Sequence, residues 1–519
     1  MTMRIYDGFL RAAERFPTRT AFLSQTQQYS FEEARRRVTE IASAIDARFS
    51  ENAHIAVYSP NNVEAFLCVL AVFAAGRTWV PLNARNAVEE NAYILDNTDC
   101  EGLFVHSALC DDVPTFQTHV PSLAEVIGID QGQAGICPLD EFIRAGDGTV
   151  PEIPDDPDRQ VSILSTGGTT GRPKGVVWTH RVWETMIATF WIHQDPSTPP
   201  VHLVSAPMTH AAGVLAMTLI PAGATTVVLD HFDPVEVMQA IEAHQVTHLF
   251  LPPTAIYMML SHPRVREFDY SSLRCFLYAA APMAADKLAE ALEVFGPVMV
   301  QSYGQAEAPM FCTMLSAQEH VEAATDPALR KRLWSCGRTT MLTRLGIMDD
   351  QGQLLPPGQP GEIVVNGSMI MAGYYKNPEA TAEASAHGWH HTGDIGYADE
   401  DGYVFHVDRK KDMIITGGFN VYSAEVEKVI LSHPAVQDCA VIGVPDDKWG
   451  EAVKAVIEPK SGQSVDPDEI IALCKDRLGS VKTPKSVDVW PELPRSNVGK
   501  LLKRAVRDQF WTGRERAVG

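Results

Sequence analysis

Apolar side chains at Ile5, Phe9, Ala13 and Phe16 fall at helical spacing, so the chain is expected to open on an amphipathic helix. Short apolar runs at 54–59 and 102–105 predict strands. The segment 63–75 is apolar all round, the pattern of a helix sandwiched between layers. PEIPDDPDRQ, 151–160, is rich in Pro and Asp and reads as a connector. Strand-like and helix-like runs then alternate at 201–206, 213–220, 224–229, 234–243, 247–251, 254–261, 274–279, 284–295 and 298–302. Such alternation predicts a parallel sheet covered by helices. Asp233-Pro234-Val235-Glu236 is a strong helix start, and Asp466-Pro467 repeats it with Glu469. From about 335 to 408 the pattern changes to short strands with glycine turns, as at 362–365 and 403–407, which predicts a small β-barrel or distorted sheet. The fold class is therefore α/β. A large N-terminal domain of helix-covered, mostly parallel sheets (about 1–150 and 161–330) carries the β-rich part, and an α+β segment follows at 412–519.

At 519 residues the chain exceeds one core, so two or more domains are expected. A net charge of −22 argues against a nucleic-acid surface and against anionic membrane. Nine cysteines without a C-x-x-C point to reduced thiols, and hence to the cytoplasm. The longest apolar run, 65–75, is too short to span a bilayer, and no signal peptide is visible.

The chemistry concentrates in STGGTTGRPKG, 165–175. Glycines let backbone N–H groups converge, and with hydroxyls and a lysine they form a nest for a polyphosphate. The run lies between two strand-like segments, unlike the Walker loop, which needs G-x-x-x-x-G-K-[ST] opening a helix. It resembles the phosphate loop of the adenylate-forming superfamily, which holds acyl- and aryl-CoA synthetases, luciferases and peptide-synthetase adenylation domains. The resemblance implies ATP binding by Ser165, Thr166, Gly167, Gly168, Thr169, Thr170, Gly171 and Lys174. Gly167 replaces the family's usual serine, so one hydroxyl contact is missing.

Further motifs extend the resemblance over most of the chain. QSYGQAE, 301–307, follows an apolar strand, where open α/β sheets bind ligands. By resemblance Ser302, Tyr303, Gly304, Gln305 and Ala306 line the nucleotide site, Tyr303 lies on adenine, and Glu307 binds Mg²⁺. Ala306 replaces a threonine, a loss of about 1 kcal/mol of hydrogen bonding. GWHHTGDIG and VDRKKDMIITGGFNVYSAEVE supply Asp394 for the ribose hydroxyls and Arg409, whose planar fork suits ribose and phosphate oxygens. The resemblance makes 409–411 a hinge pivoting on Lys411, ahead of a mobile lid domain at 412–519. It places Gly417 and Gly418 in a pantetheine tunnel, to which Trp449 of PDDKWGEAVKAVI is added. Lys500 in LPRSNVGKLLKR matches the catalytic lysine, and His210 in APMTHAAG matches a histidine that contacts the substrate carboxylate. His244 and His248 straddle a helix-to-strand turn, and His390 and His391 point to opposite faces. The metal expected is therefore Mg²⁺ arriving with ATP.

Acetate-activating relatives close their acyl pocket with a tryptophan where Gly304 stands here. Ala279, Ala280, Ala281, Ala306 and Ala308 are also small, so His210, Ala280, Ala281 and Gly304 are expected to border a roomy pocket. The resulting reading is an ATP-dependent acyl-CoA synthetase that activates a bulky hydrophobic or aromatic acid and transfers it to coenzyme A. Alternatives are a ligase loading a carrier protein, a luciferase-like oxygenase, or a non-catalytic nucleotide or acyl sensor. The oligomeric state, homodimer included, is open.

Overall fold

A computed structural model describes residues 3–130, 135–166, 173–195, 197–281, 283–495 and 501–511. The opening helix, Ile5–Arg15, buries Ile5, Phe9 and Ala13, as their spacing requires. Every residue of the helix Val63–Ala74 is buried, which explains why it has no polar face. Asn62 caps it by accepting a hydrogen bond from the Ala65 N–H.

Two large sheets form the N-terminal domain. Among the described residues one has eight strands, in the order Gly373–Tyr374, Gly175–Thr179, Gln160–Ser165, Thr78–Asn83, His54–Ser59, Cys100–Val105, Glu125–Gly128 and Cys137–Pro138. The other has nine and is parallel through its middle, where Thr225–Val228, Val201–Val204, His248–Phe250, Cys275–Tyr278 and Met299–Gln305 lie side by side. Strand and helix alternate along this stretch as the sequence pattern predicts, with helices Pro234–His244, Pro253–Ser261 and Ala285–Phe295 between strands. Asp233 caps the first of these, accepting from the N–H groups of Val235 and Glu236.

The sheets cut across the boundaries expected at 1–150 and 161–330. Thr20–Leu23 joins the nine-stranded sheet, with Phe22 beside Thr226. Gln160–Ser165 joins the eight-stranded one, with Ser162 beside Trp79. The β-rich part is also not a closed barrel. Arg344–Met348, Gly361–Asn366, His390–Ala398 and Val404–Arg409 form an open antiparallel sheet. Its last strand turns its free edge to the segment 336–338, with Cys336 N–H donating to Val404 C=O and Val404 N–H to Gly337 C=O. An edge satisfied in this way has no need to close on itself.

The C-terminal part has a core of its own, built from Ile414, Val426, Ile430, Val441, Val453, Ile457 and Ile470. A separate core is the mark of a separate domain. Its sheet carries the long hairpin Val436–Asp446 with Gly450–Pro459. Among the described residues no helix is long and apolar enough to cross a membrane.

Candidate active site

The glycine-rich run springs from two antiparallel strands. Ser165 stands opposite Gly175 at the end of the ladder. Beyond it, Thr166 N–H donates to Lys174 C=O at 3.0 Å, and Lys174 N–H donates to Thr166 Oγ1 at 3.3 Å. These bonds pin the neck of the loop. Gly167, Gly168, Thr169, Thr170 and Gly171 lie outside the described residues.

Lys174 sets its ammonium 4.6 Å from the centre of the Tyr374 ring, a cation–π contact. The Tyr374 hydroxyl donates to Glu307 Oε1 at 2.8 Å. Burial, then the Glu307 charge, push the Tyr374 phenol above its ordinary pKa, so it stays a donor. Glu307 is buried, at 8 % exposure, and its backbone C=O accepts from Met371 N–H. Lys174 and Glu307, far apart in sequence, are thus joined through Tyr374. Sequence reading missed Tyr374; the available signal is the Gly373-Tyr374-Tyr375 run ahead of the Asn377–Pro378 helix start.

A second cluster gathers around Asp394, at 1 % exposure. Tyr303 Oη donates to its Oδ2 at 2.7 Å, and Arg409 Nε stands 2.9 Å from its Oδ1, with His406 Nε2 at 3.4 Å. Burial opposes the Asp394 charge. The His406 hydrogen bond, the Arg409 guanidinium and the Tyr303 hydroxyl outweigh it and hold the carboxyl below its usual range. Asp394 is therefore an acceptor only, suited to hydroxyl donors. Gln305 reaches the same strand, its Nε2 donating to Thr392 C=O at 3.3 Å, and Trp178 Nε1 donates to Ala306 C=O at 2.6 Å. Ser302 is buried, and its hydroxyl has no partner among the described residues.

His210 precedes the helix Ala211–Leu219, at the carboxyl end of Val201–Val204. His210 is exposed, and desolvation by the neighbouring protein lowers its pKa from the ordinary value. The imidazole is neutral near pH 7, so it offers hydrogen bonds rather than charge. Its Nδ1 lies 2.9 Å from Thr209 Oγ1.

The C-terminal domain joins the site through 408–412. Lys410 Nζ stands 3.1 Å from both Glu362 and Asp350, and the Lys411 C=O accepts from Arg507 Nη1 at 3.2 Å. Asp408 Oδ2 accepts from Ser423 Oγ at 2.8 Å, which ties the last strand of the β-rich sheet to the helix Ser423–Ile430. Gly417 and Gly418, at φ 58° and 82°, make the tight turn between Ile414–Thr416 and Phe419–Val421. Gly417 N–H donates to Trp449 C=O at 2.8 Å, and a Cβ on Gly417 would stand 2.5 Å from the Trp449 ring. Gly417 and Trp449 are thus in direct contact, whereas a Cβ on Gly418 would meet nothing within 4 Å. Lys500 lies outside the described residues.

Comparison with known proteins places the chain in a family. The model of the AMP-binding enzyme family matches residues 9–375, and that of the AMP-binding enzyme C-terminal domain matches 425–500. The chain belongs to the AMP-binding enzyme family. It is an acid–thiol ligase in the acyl-CoA synthetase branch of the adenylate-forming superfamily, whose ligases use ATP and CoA. This ligase is 36 % identical to a medium/long-chain-fatty-acid–CoA ligase of Mycobacterium tuberculosis over 90 % of its own length and 82 % of the relative's. It is 36 % identical to a feruloyl-CoA synthase of Amycolatopsis sp over 96 % of its length and 98 % of that enzyme's. The structure of an amide bond synthetase from Marinactinospora thermotolerans superposes with a TM-score of 0.86 at 31 % identity, covering 98 % of this chain and 100 % of that one.

The ligase's expected acyl pocket needs a correction at Gly304. A Cβ there would stand 2.6 Å from Met310 N and 2.7 Å from Ala308 O, the backbone of the neighbouring strand. Glycine at 304 answers a close backbone approach rather than leaving room for substrate. Gly304→Ala is therefore expected to destabilise the fold by about 1–3 kcal/mol, read as a lower melting temperature; an unchanged melting temperature would show that 308–310 yields. Ala280 sits at φ 72°, a left-handed conformation costly for a residue with a Cβ. Ala280 and Ala281 follow the strand Cys275–Tyr278, at the same carboxyl-end face as His210.

Proposed function

We propose that this ligase activates a bulky hydrophobic or aromatic carboxylic acid as its acyl-adenylate and passes it to CoA. The observation that carries the reading is two side-chain groups, Lys174–Tyr374–Glu307 and Tyr303–Asp394–Arg409, tied to one another by the hairpin that holds both Tyr303 and Glu307. The first group suits a triphosphate and the second a ribose. The feruloyl and medium/long-chain relatives support a large apolar acid.

In the first half-reaction a carboxylate oxygen, directed by the neutral His210, attacks the α-phosphorus of ATP and pyrophosphate leaves. Lys174 offsets charge on the leaving group. Lys500 offsets the charge that builds on the phosphoryl oxygens and the repulsion between two anions. Asp394 and Arg409 hold the ribose. Glu307 is the residue that would hold Mg²⁺, whose charge would offset that of the triphosphate. Among the described residues only its Oε1 has a side-chain partner. In the second half-reaction the C-terminal domain turns about Lys411, and the CoA thiolate attacks the acyl carbonyl past Gly417, Gly418 and Trp449. The bond to AMP breaks and AMP leaves.

Tyr374 positions the Glu307 carboxylate, so Tyr374→Phe should raise the Mg²⁺ concentration needed for half-maximal pyrophosphate exchange about 10-fold or more. The KM for the acid should hold. A Mg²⁺ dependence identical to that of the unmodified protein would remove Tyr374 from this role.

The test of the function is pyrophosphate release across a panel of acids, with and without CoA. Release should be strongest with aromatic or medium-to-long-chain acids, and thioester should appear only with CoA. A preference for acetate contradicts the acid class. The likeness to an amide bond synthetase favours a second reading, in which an amine is the acceptor. Product formed with amines but not with CoA would select it.

A further inference from the structure

We infer that Asn61, which no motif discussed above includes, is a positioning residue for acid binding that fixes the loop carrying His210. The inference rests on the reading of His210 given under Proposed function. Asn61 stands between the strand His54–Ser59 of the eight-stranded sheet and the cap of the helix Val63–Ala74, and it is buried, at 8 % exposure. Its carboxamide reaches across to the other sheet. Nδ2 donates to Ala206 C=O at 3.0 Å and to Leu229 C=O at 3.0 Å, while Oδ1 accepts from Met208 N–H at 2.8 Å. Both ends of one side chain are thereby engaged by two segments that end neighbouring strands, Val201–Val204 and Thr225–Val228.

Ala206 and Met208 flank Pro207, whose C=O accepts from His210 N–H at 3.1 Å. The turn that aims His210 is thus held at both sides of its first proline by Asn61. The turn is also packed with no slack. Met208 O lies 1.8 Å from where a Cβ on Gly213 would be, so the loop folds directly against the first turn of the following helix. A residue needing two donors toward carbonyls and one acceptor toward an N–H can only be Asn or Gln, and Gln is one methylene too long for the same three contacts.

The isosteric Asn61→Asp replaces the donating nitrogen with an oxygen that faces two carbonyls. Asn61→Ala removes all three bonds. Each variant should raise KM for the acid roughly tenfold or more, because the loop loses the hydrogen bonds that fix it, with KM for ATP unchanged. The same substitutions are then made in a His210→Ala background. If Asn61 acts through His210, its effect on the acid should vanish there. Melting temperatures and the KM for ATP report any general damage. The inference is overturned if Asn61→Asp and Asn61→Ala leave KM for the acid unchanged, if KM for ATP rises in step with it, or if the effect persists in full without His210. If His210→Ala alone leaves acid use intact, the assignment of His210 fails instead, and a remaining effect of Asn61 would belong to the fold.

Discussion

Lys500→Ala is expected to lower acid-dependent exchange of pyrophosphate into ATP by about 10²- to 10³-fold, while thioester formation from supplied acyl-adenylate and CoA stays within a few-fold of normal. The asymmetry follows from where charge appears. A carboxylate approaching the α-phosphorus must close on an anion, and the pentavalent transition state places further charge on the phosphoryl oxygens. An ammonium fixed there meets both. Attack of a thiolate on an acyl carbonyl expels AMP and builds its charge elsewhere, so the same ammonium has little to offer. Equal loss of both half-reactions in a folded variant would contradict the role given to Lys500.

Lys411→Pro should show the opposite pattern. Proline fixes φ and removes a donor, and it disfavours the helical conformation that Lys410 adopts in the turn Lys410–Asp412. The surroundings add stiffness. Lys410 is clasped by Glu362 and Asp350, and Arg507 reaches back to the Lys411 C=O. On the proposed rotation, the movement would have to be absorbed between these anchors, next to Arg409, whose Nε stands 2.9 Å from Asp394. Adenylation is therefore expected to persist while transfer to CoA falls by orders of magnitude, measured by single-turnover kinetics of each step. Unchanged transfer would place the pivot elsewhere.

Much of the fold was legible from local pattern. The all-apolar helix at Val63–Ala74 and the Asp233 cap are each decided within a few residues, and the sequence shows them directly. What local pattern cannot carry is partnership. Nothing near Phe22 announces that it will lie beside Thr226, so the strand Thr20–Leu23 falls on the wrong side of a boundary drawn along the chain. The site divides in the same way. Lys174, Glu307, Asp394 and Arg409 stand in recognisable motifs, whereas Tyr374 and Asn61 reach their partners across the fold and His406 reaches Asp394 through the pairing of two adjacent strands. Gly304 shows the converse: a small residue marks space or close approach, and only coordinates distinguish them.

The most direct test of the central claim follows the oxygen atoms. The acid is labelled with ¹⁸O in both carboxylate oxygens and turned over with ATP and CoA. If the carboxylate attacks the α-phosphorus and the thiolate then breaks the acyl–oxygen bond, one labelled oxygen must end in AMP and none in pyrophosphate. Unlabelled AMP, or label in inorganic phosphate or ADP, would contradict an acyl-adenylate pathway.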